Sequence, residues 1–219
     1  GFSTAASSYK VSLSGGTPLN MGIGFANGAY WGSDGTIAFG SNSGIQQISD
    51  SGGTPRAITQ SQPEQGIHRQ PDLLPQGRGV LFAVALPGQP PIVAAYSTAT
   101  GRRDVIPGGT APRYSPTGHL IYAQEGTLFA APFDLDTLSV TSDPTPVLQG
   151  VLQTNTGFPY YSFSDTGTLV YASGSAQTPR NLVWVARNGT EQPLPAPPRD
   201  YDWPRLAPDG RRIAVEVTG

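Results

Sequence analysis

The sequence predicts an all-β fold built from repeated antiparallel sheets, and three observations favour it. Apolar residues come in short runs, such as TIAFG and LIYA, and each run is bounded by turn-forming residues. The chain contains 28 glycines and 22 prolines, which fall mainly between the apolar runs, where turns need them. No stretch shows the apolar period of roughly 3.6 residues that marks an amphipathic helix.

A phrase of similar form recurs five times along the chain. Each copy ends in a turn glycine followed by an apolar β run, and successive glycines are 42, 41, 49 and 43 residues apart. The glycines are Gly35, Gly77, Gly118, Gly167 and Gly210. A large apolar residue, expected in the core, stands four positions before each of them: Trp31, Leu73, Tyr114, Phe163 and Leu206. A β-hairpin with glycine at its tight turn accounts for every copy.

A second kind of phrase follows each hairpin except the last, and it reads as two further strands. The period and the strand number are those of a β-propeller blade. We therefore expect one propeller domain over 1–219, with five blades of four antiparallel strands. The expected blades are 28–60, 68–109, 110–151, 157–200, and 203–219 completed by 8–20.

The two ends of the chain are expected to complete the fifth blade jointly. Segment 8–19 has the form of an outer strand pair, which the last hairpin lacks. Because an open propeller exposes unpaired strand edges, we predict that Tyr9–Leu13 runs antiparallel to Ile213–Val217 and closes the ring. The alternative is that the chain is a fragment of a longer propeller, with 1–20 ending a blade that is otherwise lost.

Several consecutive segments, covering nearly the whole chain, carry a resemblance to a known family. They include GAYWGSDGTIAFG, PRYSPTGHLIYAQEGTLFAAPFDLDTL and NLVWVARNGTEQPLPAPPRDYDWPRLAPDGRRIAVEV. These resemble TolB-type, WD40-like propellers, and most of all the extracytoplasmic propellers of bacterial serine/threonine protein kinases. The resemblance implies a bacterial sensory propeller that binds a ligand or a protein. It also implies a periplasmic or extracellular location and a kinase domain elsewhere in the parent protein.

Composition excludes several classes of partner and cofactor. Lys and Arg number 13 against 15 Asp and Glu, with no basic stripe, so nucleic acid is not expected as a partner. No apolar run approaches the roughly 18–20 residues of a membrane span. The absence of cysteine excludes disulfides and thiolate metal sites. The two histidines, His68 and His119, are expected at opposite ends of their blades, so neither a metal site nor a cofactor is predicted.

The candidate ligand site is the mouth of the propeller channel. Residues just before each inner strand are expected to ring it: Tyr30, His68, Arg69, Asp72, Arg113, Tyr160, Trp203 and Arg205, with Gln70 and Asp202 beside them. Aromatic rings mixed with Arg and Asp suit a small polar or anionic ligand, or the end of a peptide. The alternative is structural, with the charged residues forming ion pairs between blades and the aromatic residues acting as wedges.

Two classes of function follow from these residues. The first is a non-catalytic propeller, acting as a sensor or scaffold, that binds a small ligand, a peptide or a protein at the channel mouth. The second is a hydrolase of the esterase or peptidase type that uses His68, Asp72 and a serine of a neighbouring blade. The sequence has no GxSxG nucleophile elbow, which favours the binding function.

Overall fold

The computed structural model describes residues 2–3, 7–25, 27–154, 157–173, 181–186, 188–199 and 201–217. These residues form 22 strands and two short 3₁₀ turns, Pro63–Gln65 and Pro75–Gly77, with no α-helix among them. The prediction of an all-β chain is therefore confirmed. Nor does any helix in this described part have the length and apolar character that a membrane crossing requires.

The chain divides into two compact units. The first unit is Gly1–Arg113 with Asp134–Ser139, and the second is Tyr114–Phe133 with Val140–Gly219. Three antiparallel sheets lie in the first unit, with the strand orders β1-β2-β3, β4-β5-β6-β7 and β8-β9-β10-β11. Their bounds are β1 (Phe2–Ser3), β2 (Ser8–Lys10), β3 (Leu19–Asn20), β4 (Ala29–Trp31), β5 (Thr36–Ser41), β6 (Gly44–Ser49), β7 (Arg56–Ala57), β8 (Ile67–Leu73), β9 (Val80–Ala85), β10 (Ile92–Ser97) and β11 (Gly101–Pro107).

The remaining strands form three further sheets. Their orders are β12-β13-β14-β15, with β16 also paired to β14, then β17-β18-β19-β20, and finally the hairpin β21-β22. Strand β12 begins in the first unit and ends in the second. The bounds are β12 (Thr110–Ser115), β13 (His119–Gln124), β14 (Thr127–Asp134), β15 (Ser139–Val140), β16 (Thr145–Leu148), β17 (Tyr161–Phe163), β18 (Leu169–Ala172), β19 (Leu182–Val185), β20 (Glu191–Pro193), β21 (Tyr201–Leu206) and β22 (Ile213–Val217).

The five turn glycines lie where the sequence predicts hairpins. Each falls between the first and second strands of its sheet, and all five have φ between 66° and 86°. Glycine adopts this left-handed conformation without the strain that a side chain would bring. Side chains tighten the same turns: Asp34 Oδ1 accepts the Thr36 N–H at 2.9 Å, and Ser164 Oγ accepts the Thr168 N–H at 3.1 Å.

The core lies in the second strands of the sheets rather than at the ends of the first strands. In β9, Val80, Leu81, Phe82 and Val84 are fully buried, because β9 has a paired strand on each side and packed side chains on its faces. The prediction that Trp31 is a core residue is wrong: it is 40% exposed, and Lys10 Nζ lies 5.5 Å from its ring centroid. The other four residues at this repeat position are half-buried. Two of them, Leu73 and Leu206, still pack against clusters of buried residues.

The predicted pairing of Tyr9–Leu13 with Ile213–Val217 is wrong. Strand β2 covers only Ser8–Lys10, and both of its edges are occupied: Tyr9 lies opposite Phe2 of β1 and opposite Asn20 of β3. A strand with a neighbour on each side has no unpaired edge for a third strand. Strand β22 pairs with β21. The outer pair predicted in 8–19 is present as β2 and β3, but it joins β1 and not the last hairpin.

Candidate functional site

Several inner strands carry a residue in the left-handed conformation seven positions before the turn glycine. These residues are Gln70 (φ 53°), Ala111 (φ 47°) and Trp203 (φ 50°), and Gly28 (φ 85°) holds the same place in its repeat. Each of the three non-glycine residues is followed by proline. Holding a side chain in this conformation stores strain of order 1–3 kcal/mol, and such residues cluster at binding and catalytic sites.

The strand ladder shifts register at two of these left-handed residues, Gln70 and Trp203. In β8 the shift falls between Arg69 and Asp72, and in β21 it falls between Asp202 and Arg205. A bulge of this kind bends the strand and changes the direction in which the following side chains point. His68, Arg69, Asp72 and Arg205 therefore lie within inner strands, on either side of a bulge. Tyr30 lies in β4, whose pairing with β5 has no register shift, and Tyr160 lies just before β17.

Hydrogen bonds connect successive copies of this left-handed position in the first unit. The Gln70 N–H donates to the Asn27 carbonyl oxygen at 2.8 Å, and the Ala111 N–H donates to Gln70 Oε1 at 2.9 Å. A Cβ atom at Gly28 would lie 3.2 Å from the Cα atom of Gln70. The glycine is therefore needed both for its left-handed backbone and for this close approach.

Arg113 contacts Asp72 and Tyr30 beside these bulges. Its Nε lies 2.9 Å from Asp72 Oδ1, and its guanidinium carbon lies 5.5 Å from the centroid of the Tyr30 ring. The Asp72 side chain is 4% exposed and the Arg113 side chain 25%. We call Tyr30, Asp72 and Arg113 the Arg113 cluster. The structure thus brings together three predicted residues from β4, β8 and β12, while Arg69 is half-buried in β8.

His68 lies in a different environment from Asp72, although both belong to β8. It is 2% exposed, its Nδ1 lies 2.8 Å from Thr59 Oγ1, and its ring centroid lies 4.5 Å from that of Phe82. Its Nε2 is buried and has no hydrogen-bond partner among the described residues. His68 is therefore a strand residue packed in the core, where the sequence suggests a loop residue at the channel mouth.

The Thr59 hydroxyl joins His68 to the backbone of strand β6. Thr59 Oγ1 accepts the Ile45 N–H at 2.8 Å, and it can either donate its hydroxyl hydrogen to His68 Nδ1 or accept a second hydrogen bond from Nδ1–H. Burial, and secondly the positive charge of Arg102, lower the pKa of His68 to about 4. At neutral pH the His68 side chain is therefore uncharged.

A pocket of about 210 Å³ adjoins His68 in the first unit. We call it the His68 pocket. Its lining residues are Thr59, Gln60, Gln65, His68, Phe82, Tyr96 and Arg102. Of these, only His68 belongs to the predicted site. Nothing in the repeat pattern singles out the others, because they come from the segment between β7 and β8 and from β9, β10 and β11, away from the positions just before each turn glycine.

Tyr160 and Trp203 pack against each other in the second unit. The Trp203 ring centroid lies 5.5 Å from that of Tyr160 and 5.4 Å from that of Phe158, both with edge-on geometry. Tyr160 is buried, and Trp203 packs on the cluster of Leu152, Tyr160 and Ala172. This arrangement corresponds to the wedge alternative. Arg205 is exposed in β21.

No group of three or more His, Asp or Glu side chains that could hold a metal ion occurs in the described part of the chain. His119, the first residue of β13, has its Nδ1 3.0 Å from the Thr117 carbonyl oxygen. It belongs to the second unit, whereas His68 belongs to the first.

Comparison with known proteins gives the class of fold. No protein-family model matches the chain, and no curated protein matches it significantly. Among solved structures it is similar to TolB from Acinetobacter baumannii, with a TM-score of 0.68 and 17% identity over 94% of this chain and 53% of that chain. A protein assigned as TolB from Agrobacterium tumefaciens gives a TM-score of 0.68 and 18% identity over 96% of this chain and 83% of that one.

A third similar structure is regucalcin, a calcium-binding protein from Agrobacterium tumefaciens strain C58. It gives a TM-score of 0.67 and 12% identity over 95% of this chain and 74% of that one. The chain spans about half the length of the Acinetobacter TolB. The likeness supports a β-propeller fold with TolB-type proteins among its structural neighbours, and at these identities it says nothing of activity.

Proposed function

We propose that the chain is a non-catalytic binding propeller whose ligand-binding surface is the Arg113 cluster. The observation that carries the proposal is the position of the Arg113 guanidinium, held between the buried carboxylate of Asp72 and the ring of Tyr30. A strand bulge lies next to this cluster in β8. A guanidinium oriented in this way suits an anionic group, such as a small organic acid or the carboxyl terminus of a peptide.

The accessibility of the cluster supports a binding role. A quarter of the Arg113 side chain is open to solvent, whereas Asp72 is almost fully buried. The carboxylate therefore positions the guanidinium from the protein side, and a ligand approaches from the solvent side. The Tyr30 ring, in contact with the same guanidinium, offers an apolar face to the body of that ligand.

The geometry gives less support to the alternative of a hydrolase that uses His68 and Asp72. A general base works best with a pKa near the working pH, and the pKa of His68 is lowered to about 4. Its Nδ1 contacts a threonine hydroxyl where a catalytic triad has a carboxylate. Asp72 is instead ion-paired with Arg113.

We propose further that the five hairpin repeats are the inner strands of consecutive blades, and the five turn glycines with left-handed φ support this. The resemblance of the repeats to the propellers of bacterial serine/threonine kinases supports an extracytoplasmic sensor or scaffold, in the periplasm or outside the cell. It also supports a kinase domain in the parent protein, and a peptide or protein partner.

The binding proposal is tested with tri-alanine that has a free carboxyl terminus and with the same peptide amidated. We expect the free peptide to shift the backbone amide resonances of Gln70 and Ala111 in ¹⁵N-labelled protein, and the amide to bind about tenfold more weakly. Arg113→Lys keeps a positive charge beside Asp72 but loses the planar fork, so it should also weaken binding about tenfold. The matched control is Arg78→Lys, at an exposed ion pair with Asp136.

Unchanged affinity in Arg113→Lys, or equal binding of the two peptides, would place the binding surface elsewhere. Turnover of ester or peptidase substrates separates the alternative function. Hydrolysis that is lost in His68→Gln and retained in His119→Gln would support the hydrolase and contradict the non-catalytic proposal.

A further inference from the structure

The hairpin β21-β22 differs from the other hairpins because no third strand covers it in the described part of the chain. In four sheets the second strand lies between the first and a third, in the orders β4-β5-β6, β8-β9-β10, β12-β13-β14 and β17-β18-β19. Among the described residues, β22 pairs with β21 alone. Burial differs accordingly: β5, β9, β13 and β18 each contain at least three buried residues, and β22 contains none.

The register of this hairpin shows which backbone groups of β22 face its open edge. The Ala207 N–H donates to the Arg212 carbonyl oxygen at 2.8 Å, so these residues form a hydrogen-bonded pair beside the turn. Hydrogen-bonded and non-hydrogen-bonded pairs alternate along an antiparallel ladder, and Leu206 lies opposite Ile213 in the next pair. The N–H and C=O groups of Ile213 and Val215 therefore point away from β21, towards the open edge.

The edge of β22 carries none of the features that usually protect a sheet edge. Proteins blunt such edges with proline, with lysine or with very short strands. The outermost strands of the four larger sheets follow this rule: β7 and β15 have two residues each, and β11, β16 and β20 contain proline. Strand β22 reads IAVEV, with neither proline nor lysine. It is therefore suited to accept a further strand.

Strand β18 is the counterpart of β22 in the preceding sheet, and its own neighbour shows what kind of strand fits. Beside its turn, the Ser164 N–H donates to the Thr168 carbonyl oxygen at 2.9 Å. This bond matches the one between Ala207 and Arg212, so the strand residues that follow are equivalent. Strand β19, which reads LVWV, runs antiparallel to β18 along the edge that is open in β22. The matching strands β10 and β14 are also largely apolar.

Glu216 sets a further condition on the strand that fits β22. It is exposed, and it corresponds to Ala172 of β18, which lies opposite Leu182. A basic residue in the place of Leu182 would stabilise the pairing, because opposite charges on facing residues attract across strands. A second copy of this chain does not meet the condition. If β22 paired with its own copy about Val215, Glu216 would lie opposite Ala214.

We propose that the open edge of β22 binds an extended segment of a partner protein, which adds a strand antiparallel to it. The segment matches the five residues of β22, is mainly apolar, and has a lysine or arginine opposite Glu216. Its backbone bonds to Ile213 and Val215. Its apolar side chains extend the cluster of buried residues on which the side chains of Ile213 and Val215 pack. This site does not depend on the function proposed for the Arg113 cluster.

The probe that tests this proposal is the capped peptide acetyl-Asn-Lys-Val-Trp-Val-Ala-amide. It is segment 181–186 of this chain with Leu182→Lys, and its first valine is expected opposite Val215. We expect the peptide to protect the backbone amides of Ile213 and Val215 from hydrogen exchange. The amides of Ala214 and Glu216 face β21 and should change little.

N-methylation of single peptide nitrogens tests whether the backbone makes the contact. Methylating the first valine removes the N–H that faces Val215, so the affinity measured by NMR titration should fall about tenfold or more. Methylating the tryptophan alters an N–H that points away from β22, and this matched peptide should bind nearly as well as the unmodified one.

A charge reversal in the protein tests the register. Glu216→Lys should weaken the lysine peptide about fivefold, and it should favour a peptide with glutamate in place of the lysine by a similar factor. Glu216 is exposed, so the substitution should leave the fold intact. The matched control is Glu64→Lys, at an exposed glutamate of the first unit, which should change neither affinity.

The proposal is overturned if the peptide leaves the exchange of the Ile213 and Val215 amides unchanged, or if the two methylated peptides bind equally well. It is also overturned if sedimentation shows a dimer in which these two amides are already protected, because a second copy would then occupy the edge. None of these results bears on the Arg113 cluster, whose test needs a free carboxyl terminus that the capped peptide does not have.

Discussion

The Nδ1 of His68 and the hydroxyl of Thr59 lie 2.8 Å apart, and the same hydroxyl accepts the backbone N–H of Ile45. The Thr59 side-chain oxygen therefore links the segment between β7 and β8 to two strands. It contacts β6 through the Ile45 N–H and β8 through the His68 ring. All three groups are buried, so none of them can turn to water if the oxygen is removed.

Thr59→Val removes the hydroxyl while keeping the shape of the side chain. It leaves the Ile45 N–H and the His68 Nδ1 without their partner, so we expect the free energy of unfolding to fall by about 1–3 kcal/mol. Urea unfolding followed by circular dichroism measures the change. Thr59→Ser keeps the hydroxyl and should lose less, and equal losses in the two variants would show that the hydrogen bonds contribute little.

Stability should depend on pH through His68. Its pKa is about 4 in the folded protein and 6.5 is the ordinary value, so between these limits the unfolded chain binds more protons. The contribution of the neutral ring is therefore complete above pH 6.5 and is lost as the pH falls towards 4. The shift corresponds to about 3 kcal/mol.

Urea midpoints at several pH values between 4 and 7.5 test this dependence. His68→Gln should flatten the slope between pH 6.5 and 4.5, above the range in which most carboxylates titrate, and His119→Gln should leave it unchanged. A wild-type slope equal to that of His68→Gln would contradict the lowered pKa.

The ion pair of Asp72 and Arg113 should matter more for stability than an exposed one. Asp72→Ala leaves a partly buried guanidinium without its carboxylate, and removing one partner of a buried pair typically costs about 3–5 kcal/mol. Asp136→Ala is the matched control, because its pair with Arg78 is exposed and should contribute about 0–1 kcal/mol. Thermal unfolding of the two variants should differ clearly, and similar losses would mean that solvent screens the Arg113 cluster.

Gly44 is needed where β6 begins, because its backbone approaches Thr59. It has φ 123°, and a Cβ atom would clash with the carbonyl oxygen of Thr59. Gly44→Ala should therefore destabilise the fold by about 2 kcal/mol or more and displace Thr59 from His68. Gly52→Ala is the control that separates the steric clash from backbone strain. Gly52 also has a positive φ, 91°, but there is open space around it. Losses of equal size would show that the backbone moves aside without difficulty.

Turn glycines made the hairpins predictable, because a tight turn demands a residue that tolerates positive φ. The contact between Asp72 and Arg113 was foreseeable for a related reason. The two residues stand five positions before Gly77 and Gly118 respectively, so equivalent points of neighbouring repeats bring them to the same place.

The environment of His68 was not predictable from that spacing. Positions counted back from Gly77 follow the alternation of a regular strand, but the bulge between Arg69 and Asp72 adds residues and breaks the alternation. The sequence did contain a sign of this irregular backbone: a proline follows the left-handed residue in three repeats, as QP, AP and WP. The amino-terminal sheet escaped prediction for another reason: β1 is only two residues long and has no apolar period to read.

The link from Gln70 back to Asn27, and from Ala111 back to Gln70, has a consequence for how such a chain can lengthen. In these two copies the backbone N–H of the left-handed residue is the donor that ties the copy to its predecessor. Gene duplication of one copy would therefore supply the new segment together with its own attachment. Whole repeats can therefore be added or deleted during evolution without a new contact between neighbouring repeats having to arise.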